Sequence, residues 1–250
     1  MQTASDVESD REAAGRFLDG LKEHLNNRIS LPEVREWIQN KEESRPTGKD
    51  VQYELLFTDE VVLPAVSEYL GKALGLPPTD ERVRRAFLAE STLAREQKRT
   101  SDSPRSANKY LFTKVFGANS KGVVKSWWKE SEKGQTCQSC PDWAFRAPCP
   151  HAVVFEGKFF RKGGIDAARR ELVSGIYQCF YYLAHPTFPP TETHPAWDYK
   201  YACLFAYDAS RERSLVTAWE TLSKTIRDAC SGGPSNIFVI VLPERRSIDT

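Results

Sequence analysis

Asp142, Glu156 and Lys158 are the residues with the most chemistry to offer. Glu156-Gly157-Lys158 lies inside the apolar run 152–160, AVVFEGKFF, where a carboxylate and an ammonium are costly to bury without a partner or a metal. Glu156 and Lys158 are two apart, so on a strand they share one face while Phe155 and Phe159 take the other. Asp142 opens a second extended stretch, 142–146. The midpoint between 142 and 156 is 149, where Ala147-Pro148-Cys149-Pro150 has turn chemistry. A hairpin folded there sets Asp142 beside Glu156. Two carboxylates and a lysine brought together suit a hard divalent cation and a positioned water.

The same stretch holds a competing pattern. Cys137-x2-Cys140-x8-Cys149-x-His151 has something of the spacing of a zinc site. With the turn at 149, however, Cys149 and Cys140 lie roughly 20 Å apart along an extended strand, too far for one metal. The two readings largely exclude each other. If the four converge on zinc, Asp142 sits in a knuckle loop and cannot pair with Glu156; the protein would then be a zinc-stabilised nucleic-acid-binding module without catalysis.

Past the hairpin, 165–184 has helical periodicity, with apolar residues at 165, 168, 172, 176, 179, 180 and 183. It carries Gln178 and Tyr182 in the order Gln-x-x-x-Tyr. Strand, turn, charged strand, helix and glutamine in this order resemble the PD-(D/E)xK, or restriction-endonuclease-like, nucleases. The Gln-x-x-x-Tyr is similar to the motif of their RecB-like branch. The resemblance implies an α/β fold with a mixed central sheet flanked by helices. It also implies Mg²⁺-dependent hydrolysis of DNA phosphodiester bonds, with Mn²⁺ as the alternative ion. Asp142, Glu156 and the backbone carbonyl of Gly157 would hold the metal, Lys158 would orient the attacking water, and Gln178 would position the site. An endonuclease of restriction or defence type is expected, with a RecB-like exonuclease as the alternative. Family members place a further acidic residue on a helix before the sheet, for which Glu68 and Glu90 are the candidates here.

The elements that must position these groups follow from the rest of the chain. At 250 residues there is enough chain for a substantial core, and a net charge of +1 leaves any nucleic-acid surface to local patches. No apolar run reaches membrane-spanning length and the polar, acidic N-terminus is unlike a secretory signal, so a cytoplasmic protein with no membrane partner is expected. Its six cysteines then read as thiols or metal ligands. One local patch stands out. Residues 95–133 hold ten basic against four acidic side chains, among them Lys114, Lys121, Lys125 and Lys129, interleaved with Tyr110, Phe112, Phe116, Trp127 and Trp128. Alternating positive charge and rings suit phosphate contact and base stacking, with DNA as the expected partner. One strand is expected in 110–116 or 122–128. Whether the chain works alone or as a homodimer stays open.

Two helices, within 6–27 and from the Ser30-Leu31-Pro32-Glu33 capping box, form an expected appendage over 1–48. The nuclease domain then covers 49–250, after a linker over 41–50. Helices are expected over 58–74, from Thr79 or Asp80 to 97, and from Ser210 or Arg213 to 230, the last with Leu215, Val216, Trp219, Leu222 and Ile226 facing inward. Tyr201–Tyr207 and Asn236–Leu242 read as buried strands and 185–200 as a loop.

Overall fold

The computed structural model describes residues 4–44, 53–89, 141–145, 149–184, 187–188, 197–230 and 235–244. Among the described residues the centre is a mixed, open sheet of five strands in the order β1-β2-β3-β6-β7: β1 Phe87–Ala89, β2 Trp143–Phe145, β3 Val153–Phe160, β6 Tyr201–Asp208 and β7 Ile237–Leu242. Strand β2 runs antiparallel to both β1 and β3, whereas β3, β6 and β7 are parallel. A separate two-stranded ribbon, β4 Thr187–Phe188 with β5 Trp197–Asp198, lies in the segment expected as a loop. Every residue of β6 is buried, which requires cover on both faces of the sheet.

One face is covered by α1 (Ala4–Arg28), α2 (Leu31–Glu43) and a long helical run made of α3 (Tyr53–Phe57), a π turn (Thr58–Val62) and α4 (Leu63–Leu74). Leu18, Leu21, Leu25, Ile29 and Val34 sink into one core with Phe57, Val66, Leu70, Trp143 and Phe155. The other face is covered by α6 (Ile165–Leu183) and α7 (Ser214–Glu220), whose Ala168, Leu172, Cys179 and Leu215 pack against Val154, Leu204 and Ala206. The alternation along β3 therefore works as its sequence requires, odd residues to one layer and even residues to the other.

Several local expectations change in this context. The helices expected as an N-terminal appendage do not stand apart. The leucine stripe of α1 is completed only by the apolar face of the sheet and by α4, because a single helix cannot bury its own stripe. The helix expected from Thr58 begins at Tyr53, and Leu63 N–H reaches back to Thr58 O to close the π turn. That wider turn lies just before Pro64, which has no N–H to give and whose ring crowds the preceding turn. The helix expected over 80–97 stops after α5 (Glu81–Ala86), and the chain extends as β1, because pairing with β2 satisfies a second row of backbone groups. The expected C-terminal helix splits. Thr221 Oγ1 bonds back to Thr217 O at 2.8 Å, and Ser223 caps a new helix, α8 (Lys224–Ala229), by accepting from Ile226 N. Ile226 is consequently 41% exposed rather than inward. The expected linker is helical as far as Glu43; its remainder, 45–50, lies outside the described residues, as does the strand expected in 110–116 or 122–128.

If α1 belongs to the core, Leu21→Ala, at a site with 0% exposure, should cost about 2–5 kcal/mol. Urea unfolding should show one transition moved to lower denaturant, whereas an independent appendage would leave the main transition in place.

Candidate active site

Strand β2 begins only at Trp143, and among the described residues no strand pairs with the five residues of β3 that run on past its partner Phe155 on that side. The β2–β3 register pairs 143 with 155 and 144 with 154, so residue 142 faces 156. Trp143 and Phe155 stack ring on ring, 3.6 Å between centroids and 4° from parallel. Asp142 N donates to Phe155 O at 2.9 Å, the last rung of the ladder. Beyond it the carboxylates take over. Asp142 Oδ2 accepts from Gly157 N at 2.5 Å, and the Glu54 carboxylate, reaching in from α3, accepts from Phe159 N–H. Because N–H and C=O of one strand residue point to the same side, the Gly157 carbonyl also faces this open edge. A β-carbon at Gly157 would lie 3.1 Å from Asp142 Oδ2 and 3.5 Å from Thr58 Oγ1, so only glycine lets the aspartate approach without displacement.

Glu156 points to the even face and is 3% exposed. Lys158 Nζ stands 2.6 Å from its Oε1, and the Tyr182 hydroxyl of α6 donates to Oε2. Tyr182 is itself tied down, since the Tyr199 hydroxyl donates to its carbonyl at 2.7 Å. Lys158 Nζ also lies 3.6 Å from Glu54 Oε1. Glu156 and Glu54 thus share one ammonium, whose charge Asp142 also feels. Burial, then the Glu156 and Glu54 charges, push Asp142 well above the usual carboxylate range, against the opposing pull of the Gly157 N–H and Lys158. Burial also raises Glu54; Lys158 opposes it and Glu156 adds to it. For Lys158, burial would lower the ammonium's pKa, but Glu156 and Glu54 more than offset this and hold it above its ordinary value. The cluster is short of positive charge.

The structure thus brings Asp142, Glu156, Gly157 and Lys158 together. Gln178 lies half-buried on α6, one turn before Tyr182. Tyr182, the second residue of the Gln-x-x-x-Tyr spacing, reaches Glu156 from that helix. Glu68 is not at the site: it is held by Arg28 at 2.6 and 2.8 Å, on the outside of α4. The acidic helix residue at the site is Glu54, which sequence reading passed over because it lies between the expected linker and the expected helix start. The signal was present in the apolar spacing Tyr53, Leu56, Phe57, which continues the stripe of the following helix backwards. Glu90, Lys114, Lys121, Lys125 and Lys129 lie outside the described residues, as do Cys137 and Cys140. Cys149 is buried, and burial pushes its thiol up to about 11. His151 packs its ring on Phe17 of α1, 5.5 Å between centroids.

No family model, no curated protein and no solved structure matches this chain. Its chemistry must be argued from its own residues. Among the described residues, no group of three or more His, Cys, Asp or Glu side chains converges as a ready metal-ligand set. The carboxylate oxygens are held by Lys158, Tyr182 and the Gly157 N–H instead. No helix among them is long and apolar enough to cross a membrane.

The raised Asp142 has a consequence for stability. Its proton is bound more tightly in the folded than in the unfolded chain. The cost is therefore absent below the ordinary carboxylate pKa, grows as pH rises above it, and is full above the folded value. Asp142→Asn should melt roughly 3–6 °C above the parent protein at pH 8 and at nearly the same temperature near pH 4. Calorimetry at the two pH values checks this, and equal melting temperatures at pH 8 would remove the charge strain assigned here.

Proposed function

We propose that this protein is a metal-dependent nuclease that hydrolyses DNA phosphodiester bonds, with the restriction-endonuclease-like fold its mixed sheet is compatible with, and acts as an endonuclease. The single observation that carries the reading is the β2–β3 register, which sets Asp142 against Glu156 and Gly157 with Lys158 two residues on. Released from the hydrogen bonds that hold them, Asp142, Glu156, the Gly157 carbonyl and Glu54 would offer hard oxygens alone, of the kind suited to Mg²⁺ or Mn²⁺ rather than to a thiolate-seeking ion. The raised Asp142 fits this donor set, because a cation beside it would offset the cost of burial and the repulsion of Glu156 and Glu54. A divalent ion held there supplies charge for the phosphate oxygens and a water that ionises near neutral pH.

The remaining work falls to side chains. When Lys158 moves off Glu156, its ammonium can orient the attacking water and face the negative charge that develops on the phosphate. The water oxygen bonds to phosphorus and gives up a proton to solvent, one P–O ester bond breaks, and the leaving oxygen takes up a proton from solvent. Tyr182 keeps Glu156 aimed by binding its second oxygen, and Tyr199 keeps Tyr182 in place. Gln178, one turn away on the same helix, is assigned a positioning role.

With supercoiled plasmid and Mg²⁺, Asp142→Ala, Glu156→Ala and Lys158→Ala should each lose about 100-fold or more in cleavage rate. Glu54→Gln and Tyr182→Phe should lose about 10–100-fold, and Mg²⁺ should raise the melting temperature of the parent protein but not of Asp142→Asn. Nicked or linear product at the parent rate from any of the first three would end the assignment. Degradation of linear but not circular DNA would turn the reading to an exonuclease.

A further inference from the structure

A basic cleft lies where the parallel strands β3 and β6 end. It is open, about 390 Å³, and lined by Arg35, Arg161, Lys162 and Arg211 around a floor of Ile38 and Ala209. Lys162 follows two residues after the end of β3, Ala209 follows β6 directly, and Ala209 N donates to Phe160 O at 2.8 Å. The carboxyl ends of parallel strands are where open α/β sheets take their ligands. Arg35, Lys162 and Arg211 are exposed and have no ion-pair partner among the described residues. Carboxylates nearby are already engaged. Glu42 accepts from Arg161 at 2.5 Å, and Asp208, fully buried, accepts from Ser210 N and Oγ, Leu215 N and Val216 N. Among the described residues the cleft therefore presents three cations without an ion-pair partner beside the paired Arg161.

Arg161 joins this cleft to the acidic site. Its guanidinium lies 3.8 Å from the centroid of the Tyr53 ring, and Tyr53 is the residue before Glu54. Along β3, Lys158 and Arg161 are three residues apart, roughly 10 Å at 3.3 Å per residue. On that scale, one DNA strand bound at the site would carry phosphates within reach of the cleft. An enclosed, mostly apolar pocket would suit a small ligand; an open row of cations suits a polyanion that continues past it.

We propose that Arg35, Arg161, Lys162 and Arg211 bind the phosphodiester backbone of DNA a few nucleotides from the scissile bond. This inference rests on the nuclease reading for its geometry, but its binding test does not. The test uses Asp142→Asn protein in EDTA, a fluorescein-labelled mixed-sequence DNA duplex and anisotropy across 50–200 mM salt. Adding Arg35→Glu, Lys162→Glu and Arg211→Glu together should weaken binding tenfold or more. The slope of log affinity against log salt should flatten by about 2–3, near 0.9 for each lost phosphate contact. Lys224→Glu, an exposed reversal on α8, should leave the slope unchanged. If circular dichroism shows the triple variant unfolded, each single reversal should shift the slope by about 0.9 instead. Unchanged affinity and slope, equal effects from Lys224→Glu, or no DNA binding by the parent protein would each overturn the proposal. Salt-dependent binding through the cleft without cleavage by the parent protein would end the nuclease reading and leave the cleft standing. Cleavage with unchanged KM in the triple variant would do the reverse.

Discussion

The structure depends on the register between β2 and β3. Side chains alternate with a period of two, so a slip of one residue would turn Asp142 to the opposite face from Glu156 and turn Trp143 out of the core. The parallel stacking of Trp143 on Phe155, with Phe145 edge-on to both, opposes such a slip through apolar contact rather than through charge. Hydrophobic packing thereby fixes a polar arrangement that would not hold itself together.

That arrangement is costly by itself. Glu156 is buried, Asp142 is raised by burial and by its carboxylate neighbours, and the Lys158 ammonium is paired with both Glu156 and Glu54. The surroundings limit the cost without removing it. Backbone N–H groups that β2 would otherwise have engaged donate to Asp142 and Glu54, and the Tyr182 hydroxyl binds the far oxygen of Glu156. The late start of β2 is thus what makes the site. A longer partner strand would have satisfied the edge of β3 and left no place for the carboxylates.

Two helices from opposite layers meet at this edge. α3 brings Glu54 from the layer that contains α1, and α6 brings Tyr182 from the other. The π turn at Thr58 belongs to the same construction, since Thr58 Oγ1 would lie 3.5 Å from a β-carbon at Gly157. The N-terminal helices support the site from beneath: Phe57 packs on Phe159 at 4.4 Å between centroids, and Trp37 of α2 packs edge-on against both. Loosening that aromatic cluster would loosen Glu54 with it.

Much of this was legible in the sequence because it is local. Alternation along 153–160, turn residues centred on 149 and the periodicity of 165–183 are patterns within one stretch of chain, and they determined the hairpin, its register and the helix that follows. The β6 and β7 strands were legible for the same reason, as apolar runs that must be covered on both faces. Glu54 was not, nor was the contact of Tyr182 with Glu156, because what makes them part of the site is the approach of α3 to the edge of β3 and of α6 to Glu156, contacts across about 100 and 26 residues of chain. The same holds for β1, where pairing with β2 overrode a helical pattern, and for α1, whose apolar stripe says that it must be buried but not against what. Local periodicity decides which face of an element is apolar. Only the tertiary structure decides which faces meet, and so which acids share an ammonium.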